Sequence, residues 1–183
     1  MAMLDARKFN ESETLESGVV ATTRAVRSDD RQRIIEAFKK LERESIVMRF
    51  FGYKDHLSED DLNAATQVDF ERVVGLVVTI VDGDREIIIG SGRYSLLDLP
   101  PTMPQRAEVS LIVEEDYHRQ GIASRLLKHL ANIARERNVK EFVAEVLFEN
   151  RAMLTVFKQS GLPMHEKTEA RVIHVTLSLD PKM

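Results

Sequence analysis

The strongest constraint on the fold is a strand that runs directly into a long amphipathic helix in the middle of the chain. The segment AEVSLIVEE alternates apolar and polar residues over most of its length, which is typical of a half-buried strand. The following helix carries one apolar stripe, formed by Ile122, Leu126, Leu127, Leu130, Ile133 and Ala134. Because a helix with one apolar face must bury that face against another element, we expect it to cover a sheet.

Other segments supply the remaining elements. Predicted strands are VVATTRAV from Val19, the run over 72–81, its partner after Asp82-Gly83-Asp84, the segment 140–147 and the closing HVTLSL. Predicted helices cover 29–43, a short stretch after Ser58, the long segment after His118, and 150–160, whereas 49–52 is predicted to be a loop. The strands outnumber the helices and cluster in the middle, which indicates an α+β protein with a mixed sheet covered by helices.

Composition bounds the class of protein. A chain of 183 residues is the size of one domain, so we expect residues 19–183 to form it and residues 1–18 to be a loose or short helical lead-in. The chain has no cysteine, which excludes disulfides, thiolate metal sites and a cysteine nucleophile. A net charge of −4 argues against nucleic acid as a partner. We find neither a membrane-spanning segment nor a signal peptide, and we expect a cytoplasmic protein.

The turn between the central strand and helix is the candidate ligand site. The first turn of a helix has unpaired N–H groups and a partial positive charge, and Gly121 leaves room for a ligand to approach them. Such a turn is suited to a pyrophosphate, although a plain strand-to-helix turn with a convenient glycine would look the same. The stretch 90–92 lacks the third glycine of a dinucleotide loop, and no GxxxxGK[ST] occurs. The five histidines show no metal-ligand spacing, so no metal is expected.

Two motifs connect the chain to a known family. The stretch 108–123 resembles the coenzyme-A-binding motif of GNAT N-acetyltransferases, whose loop reads Q/R-x-x-G-x-G/A. Here that loop is His118-Arg119-Gln120-Gly121-Ile122-Ala123, with His in place of the first Gln or Arg. The stretch from Asn150-Arg151-Ala152-Met153-Leu154 to Gly161-Leu162 resembles the family's later N-x-x-A/M…GF helix. The likeness spans roughly residues 20–179 and implies a mostly antiparallel mixed sheet of about six or seven strands with about four helices.

A narrower likeness lies in the first half of the chain. The segments 45–51, 57–62 and 66–70 are similar to the N-terminal half of Pat-type GNAT domains, which are bacterial protein lysine acetyltransferases. Those domains are usually fused to a cyclic-nucleotide-binding or acyl-CoA-synthetase-like domain. A chain of this length is expected to hold no such partner and to lack its regulation.

The resemblance implies direct transfer of an acetyl group from acetyl-CoA to an amine, and we expect the acceptor to be a protein lysine. Two alternatives stay open, a small-molecule amine as acceptor and a non-catalytic acyl-CoA-binding sensor. Glu108, on the strand face shared with Ser110, is the candidate general base. The residues expected to hold acetyl-CoA are Leu111, Ile112, Val113, His118, Arg119, Gln120, Gly121, Ile122, Ala123, Ser124 and Asn150. The resemblance implies that backbone N–H groups near Leu111 to Val113 polarise the thioester carbonyl, and the alternative for Asn150 is a plain helix N-cap.

Several details are left open by the residues alone. Many GNAT enzymes have a tyrosine acid where this chain has Phe157, and Tyr94 and Tyr117 are the possible substitutes. The basic side chains of Arg125 and Lys128 could reach the phosphates or form a solvated helix face. Arg49 and Asp69, from the Pat-like segment, are expected on the acceptor side, and the alternative for Arg49 is a structural ion pair. The apolar strand RVVGLVVTIV is expected in the core, and its alternative is a homodimer contact.

Overall fold

A computed structural model describes residues 4–180. Their strands form one eight-stranded sheet in the order β1-β2-β3-β4-β5-β6-β8-β7. The strands are β1 (Asn10–Thr14), β2 (Val20–Ala25), β3 (Val73–Asp82), β4 (Arg85–Leu96), β5 (Arg106–Val113), β6 (Glu141–Leu147), β7 (Met164–Glu169) and β8 (Val172–Ser178). The helices are α1 (Arg31–Lys40), α2 (Arg43–Phe50), α3 (Glu59–Thr66), α4 (Ile122–Glu136) and α5 (Arg151–Gln159).

The predicted class is confirmed, and the element counts are somewhat higher than expected. Neighbouring strands run antiparallel except for β5 and β6, which are parallel. The described residues contain eight strands and five α-helices, against about six or seven and about four expected from the resemblance. None of the described helices is long and apolar enough to cross a bilayer.

The three elements that were not expected, β1, β7 and α2, have weak local sequence signals. The expected lead-in is wrong over β1, although a 3-10 turn occurs at Ala6–Lys8. The strands β1 and β7 are mostly exposed and polar, so their sequences lack the apolar alternation of a strand. They form because each supplies the backbone partners of a neighbouring strand. The segment expected to be a loop at 49–52 begins with the last turn of α2, whose Ile46 is buried.

The apolar strand β3 lies in the middle of the sheet. It pairs with β2 on one side and β4 on the other, so both of its edges are occupied. Most of its residues are buried, which confirms the prediction that it belongs to the core. This strand therefore has no free edge to pair with a second chain. A homodimer stays a prediction, but it would have to form through another surface.

The long helix α4 packs closely on β4 and β5 because β4 contains a glycine at the contact. A Cβ atom at Gly92 would lie 2.7 Å from the Leu111 side chain and 3.1 Å from the Leu130 side chain. Seven residues of α4 are buried, all from its apolar face. The absence of a side chain at this one position sets how near the helix approaches the sheet, and therefore where its N-terminus lies.

A buried ion cluster joins β2, the start of α1 and β4. The guanidinium of Arg24 donates two hydrogen bonds of 2.8 Å to the carboxylate of Asp30 and one of 2.7 Å to Glu86. Asp30 is fully buried. Burial alone would raise the pKa of Asp30, but hydrogen bonds from Arg24 and from the Arg27 N–H hold it below the usual value. The hydrogen bonds from Arg24 likewise lower the pKa of Glu86.

We predict that Gly92→Ala lowers the free energy of unfolding by about 1–3 kcal/mol, because the new methyl group would overpack the α4 contact. Equilibrium denaturation by guanidinium chloride measures the change. The control is Gly52→Ala, since nothing lies within 4 Å of the corresponding added atom. Equal stability of the two variants would contradict the close-packing argument.

We predict that the ion cluster makes folding stability sensitive to acid. Because the pKa values of Asp30 and Glu86 are lowered in the folded state, their ionised carboxylates contribute fully to the free energy of unfolding above the unfolded-state pKa of about 4. That contribution is lost as the pH falls through their folded-state pKa values. Asp30→Asn should cost about 3 kcal/mol at pH 7 and flatten the acid-dependent part of the stability curve. Denaturation from pH 7 to pH 2 measures this. The exposed neighbour provides the control Asp29→Asn, which should behave as the wild type.

Candidate functional site

The site begins where the two parallel strands separate. Strand β5 pairs with β6 only through its first three residues, Arg106 to Glu108. Beyond that point β5 continues along β4 to Val113, while β6 continues along β8 to Leu147. The two strands therefore open into a V-shaped gap, which no sequence pattern had indicated.

Backbone groups of β5 face this gap in alternation. The N–H of Glu114 donates to the Ile89 carbonyl of β4 at 2.8 Å, so the even-numbered residues of β5 direct their N–H groups at β4. Leu111 and Val113 consequently direct their N–H groups into the gap, as predicted. Ile112 directs its N–H at β4, and its predicted role as a backbone donor is corrected. Its side chain still lines the groove.

The loop after β5 presents a row of free donors. Arg119 and Gly121 have left-handed backbone conformations, with φ of 60° and 76°. No acceptor among residues 4–180 is found for the six consecutive N–H groups of residues 119–124, and no side chain caps α4. Six unpaired donors at the N-terminus of a fifteen-residue helix form a cradle suited to a pyrophosphate.

Two side chains hold this cradle in place. The imidazole Nε2 of His118 lies 2.7 Å from the Val113 carbonyl and joins the loop to the open end of β5. The guanidinium of Arg125 donates to the Gln120 carbonyl at 2.9 Å and pairs with Glu13 of β1 at 2.8 Å. Arg125 is thus a loop-positioning residue with its guanidinium already engaged. The side chain of Lys128 is exposed, and its predicted reach to phosphate stays a prediction.

Glu108 is the last residue of β5 that pairs with β6, and the gap begins there. It is exposed and shares one sheet face with Ser110, as the alternation predicted. Two arginines lie on the same side: burial lowers the pKa of the guanidiniums of Arg49 and Arg93, and the Glu108 carboxylate partly offsets this. Glu108 therefore lies beside two cations at the mouth of the gap.

The strand gap and the loop share one groove of about 1070 Å³. Of the predicted site residues, those lining it are Glu108, Leu111, Ile112, Val113, His118, Arg119, Gly121, Ile122, Ala123, Ser124 and Asn150. Gln120 does not line it, and its side-chain Oε1 is buried without a hydrogen-bond partner among residues 4–180. Its N–H still belongs to the cradle.

Asn150 has a structural role at the start of α5. Its Oδ1 accepts a hydrogen bond of 3.1 Å from the Met153 N–H and so caps the helix, as the alternative interpretation held. The residue also lines the groove, where its amide group can contact a ligand. The two interpretations are compatible.

Of the residues considered for the general acid, Phe157 and Tyr94 cannot serve, whereas Tyr117 lines the groove. Phe157 is buried against the groove and has no hydroxyl. Tyr94 is fully buried on the α4 face of the sheet, where burial raises its pKa to about 12. Burial and then the charges of Glu114, Asp116 and Asp82 raise the pKa of Tyr117. Its side chain lines the groove, so its role as the substitute acid stays a prediction.

Two further assignments changed with the structure. The carboxylate of Asp69 accepts hydrogen bonds of 2.9 Å from three consecutive backbone N–H groups, those of residues 71–73, and so stabilises a turn. Asp69 does not line the groove. Its predicted place on the acceptor side is wrong.

Sequence reasoning also missed Arg93. Its signal was the alternation of Ser91, Arg93 and Ser95 along β4, which places three polar side chains on the Glu108 face.

Among residues 4–180, no group of three or more acidic or histidine side chains is arranged to hold a metal ion.

Comparisons with known proteins agree with this geometry. The family described as Acetyltransferase (GNAT) family matches residues 36–162. The GNAT domain of Streptomyces lividans PAT is 32% identical, with 92% of this chain and 96% of that chain covered and a TM-score of 0.82. An acetyltransferase of Pseudomonas aeruginosa is 23% identical over 77% of this chain and 74% of the relative. The Salmonella typhimurium protein yncA, whose structure contains acetyl-CoA, is 16% identical with a TM-score of 0.68, covering 88% and 95% of the two chains.

We predict that Gly121→Val weakens acetyl-CoA binding at least about tenfold, a loss of roughly 1.4 kcal/mol, because a branched side chain would enter the cradle. Isothermal titration calorimetry measures the dissociation constant. The control is Gly161→Val, since Gly161 also has a φ of 76° at the end of a helix but lies outside the cradle. Both variants carry the same backbone strain, so equal affinity in the two would contradict the cradle.

Proposed function

The chain belongs to the GNAT family of acetyltransferases, and we propose that it acetylates protein lysines with Glu108 as the general base. It is an acetyl-CoA-dependent N-acetyltransferase. The proposal concerns the acceptor and the base, and the observation that carries it is the exposed carboxylate of Glu108 at the point where β5 and β6 separate.

The residues of the groove fit acetyl-CoA. The six unpaired N–H groups of residues 119–124 suit its pyrophosphate, and the gap between β5 and β6 suits its extended pantetheine arm. The N–H groups of Leu111 and Val113 would donate to the arm and to the thioester carbonyl. When bound, acetyl-CoA supplies an activated acyl carbon, and such donors stabilise negative charge that develops on the carbonyl oxygen.

The chain must also remove a proton from the acceptor. A free lysine has a pKa near 10.4, so the neutral amine at pH 7 costs about 4.6 kcal/mol. A carboxylate within hydrogen-bond reach, directly or through one water, can accept that proton. Glu108 lies on the open side of the groove, where an amine can approach the thioester at the separation of the strands.

The transfer itself is a direct displacement. Glu108 first takes the ammonium proton and releases it to solvent. The neutral amine nitrogen then bonds to the acyl carbon, the carbon–sulfur bond breaks, and one of the two remaining protons on nitrogen moves to Glu108. The chain has no cysteine to form an acetyl-enzyme, which supports one step within a ternary complex. Since Phe157 offers no proton, we propose that the departing thiolate takes its proton from solvent.

The accessibility of the base supports a protein acceptor. The exposed glutamates Glu42, Glu145 and Glu149 also line the groove and suit a cationic lysine. The first-half likeness to Pat-type domains points the same way. A non-catalytic sensor would have no need of a carboxylate at this position.

We predict that Glu108→Gln lowers kcat by about 10²–10⁴-fold at pH 7, with partial recovery at high pH where more of the amine is neutral. Release of CoA thiol measures the rate, and the absence of cysteine removes any background from the protein. The affinity for acetyl-CoA should be unchanged. The control is Glu44→Gln, an exposed glutamate of the same rim with no ion pair among the described residues.

The acceptor is tested with the same assay on lysine peptides, folded proteins and small amines. Turnover of protein or peptide lysines with full dependence on Glu108 is the expected result. Turnover restricted to small amines would contradict the lysine proposal. Unchanged kcat in Glu108→Gln would remove the base assignment.

A further inference from the structure

A second cavity adjoins the groove. It has a volume of about 350 Å³ and lies between the sheet and helices α1, α2 and α3. Its walls are largely apolar and include Ile34, Phe38, Leu41, Leu57, Val77 and Ile88. This volume falls in the range of pockets that hold small molecules, about 300–1,000 Å³, and far exceeds the space that an acetyl methyl group needs.

We propose that this cavity receives the alkyl chain of acyl-CoA donors longer than acetyl, so that the enzyme transfers medium-chain acyl groups as well. The inference rests on the proposed acyl transfer and deepens it by naming the donor class. The bonds formed and broken are those of acetyl transfer: the amide forms, the thioester carbon–sulfur bond breaks, and the amine proton moves to Glu108.

The cavity and the groove meet at β5. Four residues line both spaces, namely Arg49 and Phe50 of α2 and Ser110 and Ile112 of β5. Ile112 lies between Leu111 and Val113, whose N–H groups face the gap and are suited to the thioester carbonyl. A chain attached to that carbonyl can therefore leave the groove past Ser110 and Ile112 and enter the cavity.

The amine and the chain would approach from different ends of β5. Glu108 lines the groove and is absent from the cavity wall, whereas Glu114 lines the cavity. A strand rises about 3.3 Å per residue, so these two positions lie about 20 Å apart. The amine at Glu108 and a chain directed toward Glu114 would therefore occupy separate spaces.

Of the charged groups around the cavity, Asp61 and Arg93 have partners, whereas the Oε2 of Glu114 is buried without one among residues 4–180. Asp61 is paired with Lys54 at 2.8 Å. Arg93 donates to the Ala64 carbonyl at 3.0 Å and to the Ser95 hydroxyl at 3.2 Å. Glu114 is 7% exposed, and burial raises the pKa of its carboxyl.

Arg49 stands apart from these groups because it lies at the junction of the two spaces. Its guanidinium lies 5.1 Å from the Phe50 ring and has no hydrogen bond or ion pair among residues 4–180. The unpaired cation thus lies at the entrance, and the largely apolar walls of the interior suit an alkyl chain.

Small side chains keep the cavity open. Ala37 on α1 and Ala65 on α3 face it from different helices. At Gly75 of β3, an added Cβ atom would lie 3.0 Å from Val26 and 3.7 Å from Val68, so glycine also preserves space there. Larger residues at these positions would reduce the volume without touching Glu108 or the cradle.

The test compares acetyl-, butyryl-, hexanoyl- and octanoyl-CoA. Calorimetry measures the affinity of each for the full chain, and the thiol-release assay measures kcat/KM with a lysine peptide. We expect affinity to rise up to about fourfold for each added methylene that the cavity buries. A flat or falling affinity from acetyl to hexanoyl would overturn the proposal.

Variants locate the effect. Ala37→Phe should fill the cavity and lower the affinity for hexanoyl-CoA at least about tenfold, the loss expected when two buried methylenes are displaced. The affinity for acetyl-CoA should stay within about twofold of the wild type. The control is Lys39→Phe, which adds the same ring to an exposed position of α1 outside the cavity. If Ala37→Phe fails to fold, Ala65→Leu reduces the same space from α3.

The alternative outcomes are distinct. Equal losses for acetyl- and hexanoyl-CoA in both cavity variants would overturn the proposal, as would a raised KM for the acceptor peptide alone, which would place the acceptor in the cavity. Failure of the proposed function shows itself separately, as binding of every donor without turnover of any peptide. A chain-length dependence of affinity that Ala37→Phe abolishes would still support the cavity assignment in that case.

Discussion

The separation of β5 from β6 is the constraint on which the rest of the site depends. Each strand keeps its ladder with its other neighbour, so the two backbones are held apart after Glu108. Backbone N–H groups in the middle of a sheet are normally paired, and here those of Leu111 and Val113 face the gap instead. The same opening exposes Glu108 and leads to both the groove and the second cavity.

The second half of the site follows from the packing of α4. Because Gly92 lets this helix lie closely against β4 and β5, the cradle begins directly beyond the end of β5. His118 and Arg125 then join the loop to Val113 and to β1. The proposed donors for the pyrophosphate and for the thioester thus belong to one strand–loop–helix unit, which sets their positions relative to each other.

Much of this arrangement could be predicted from the sequence, because its signals are local. The alternation in β5 placed Glu108 and Ser110 on one face, and the apolar stripe of α4 placed the loop at a helix N-terminus. The elements missed, β1, β7 and α2, are short, and β1 and β7 are polar, so they are stabilised by their neighbours and carry little pattern of their own. Alternation also could not tell which neighbour an N–H group of β5 faces, and this is why Ile112 was misassigned as a donor.

The sequence by itself thus determined the strand–loop–helix unit, the character of the loop as an anion cradle and the face on which Glu108 lies. These features depend on spacings of two to four residues, because the regular backbone of a strand or helix fixes the direction in which each side chain points. Only the tertiary structure decided the gap, the second cavity and the Arg24–Asp30–Glu86 cluster. Arg24 and Glu86 are 62 positions apart in the chain, and β5 and β6 are separated by a whole helix. Contacts of that kind depend on how distant elements pack, and no local pattern specifies them.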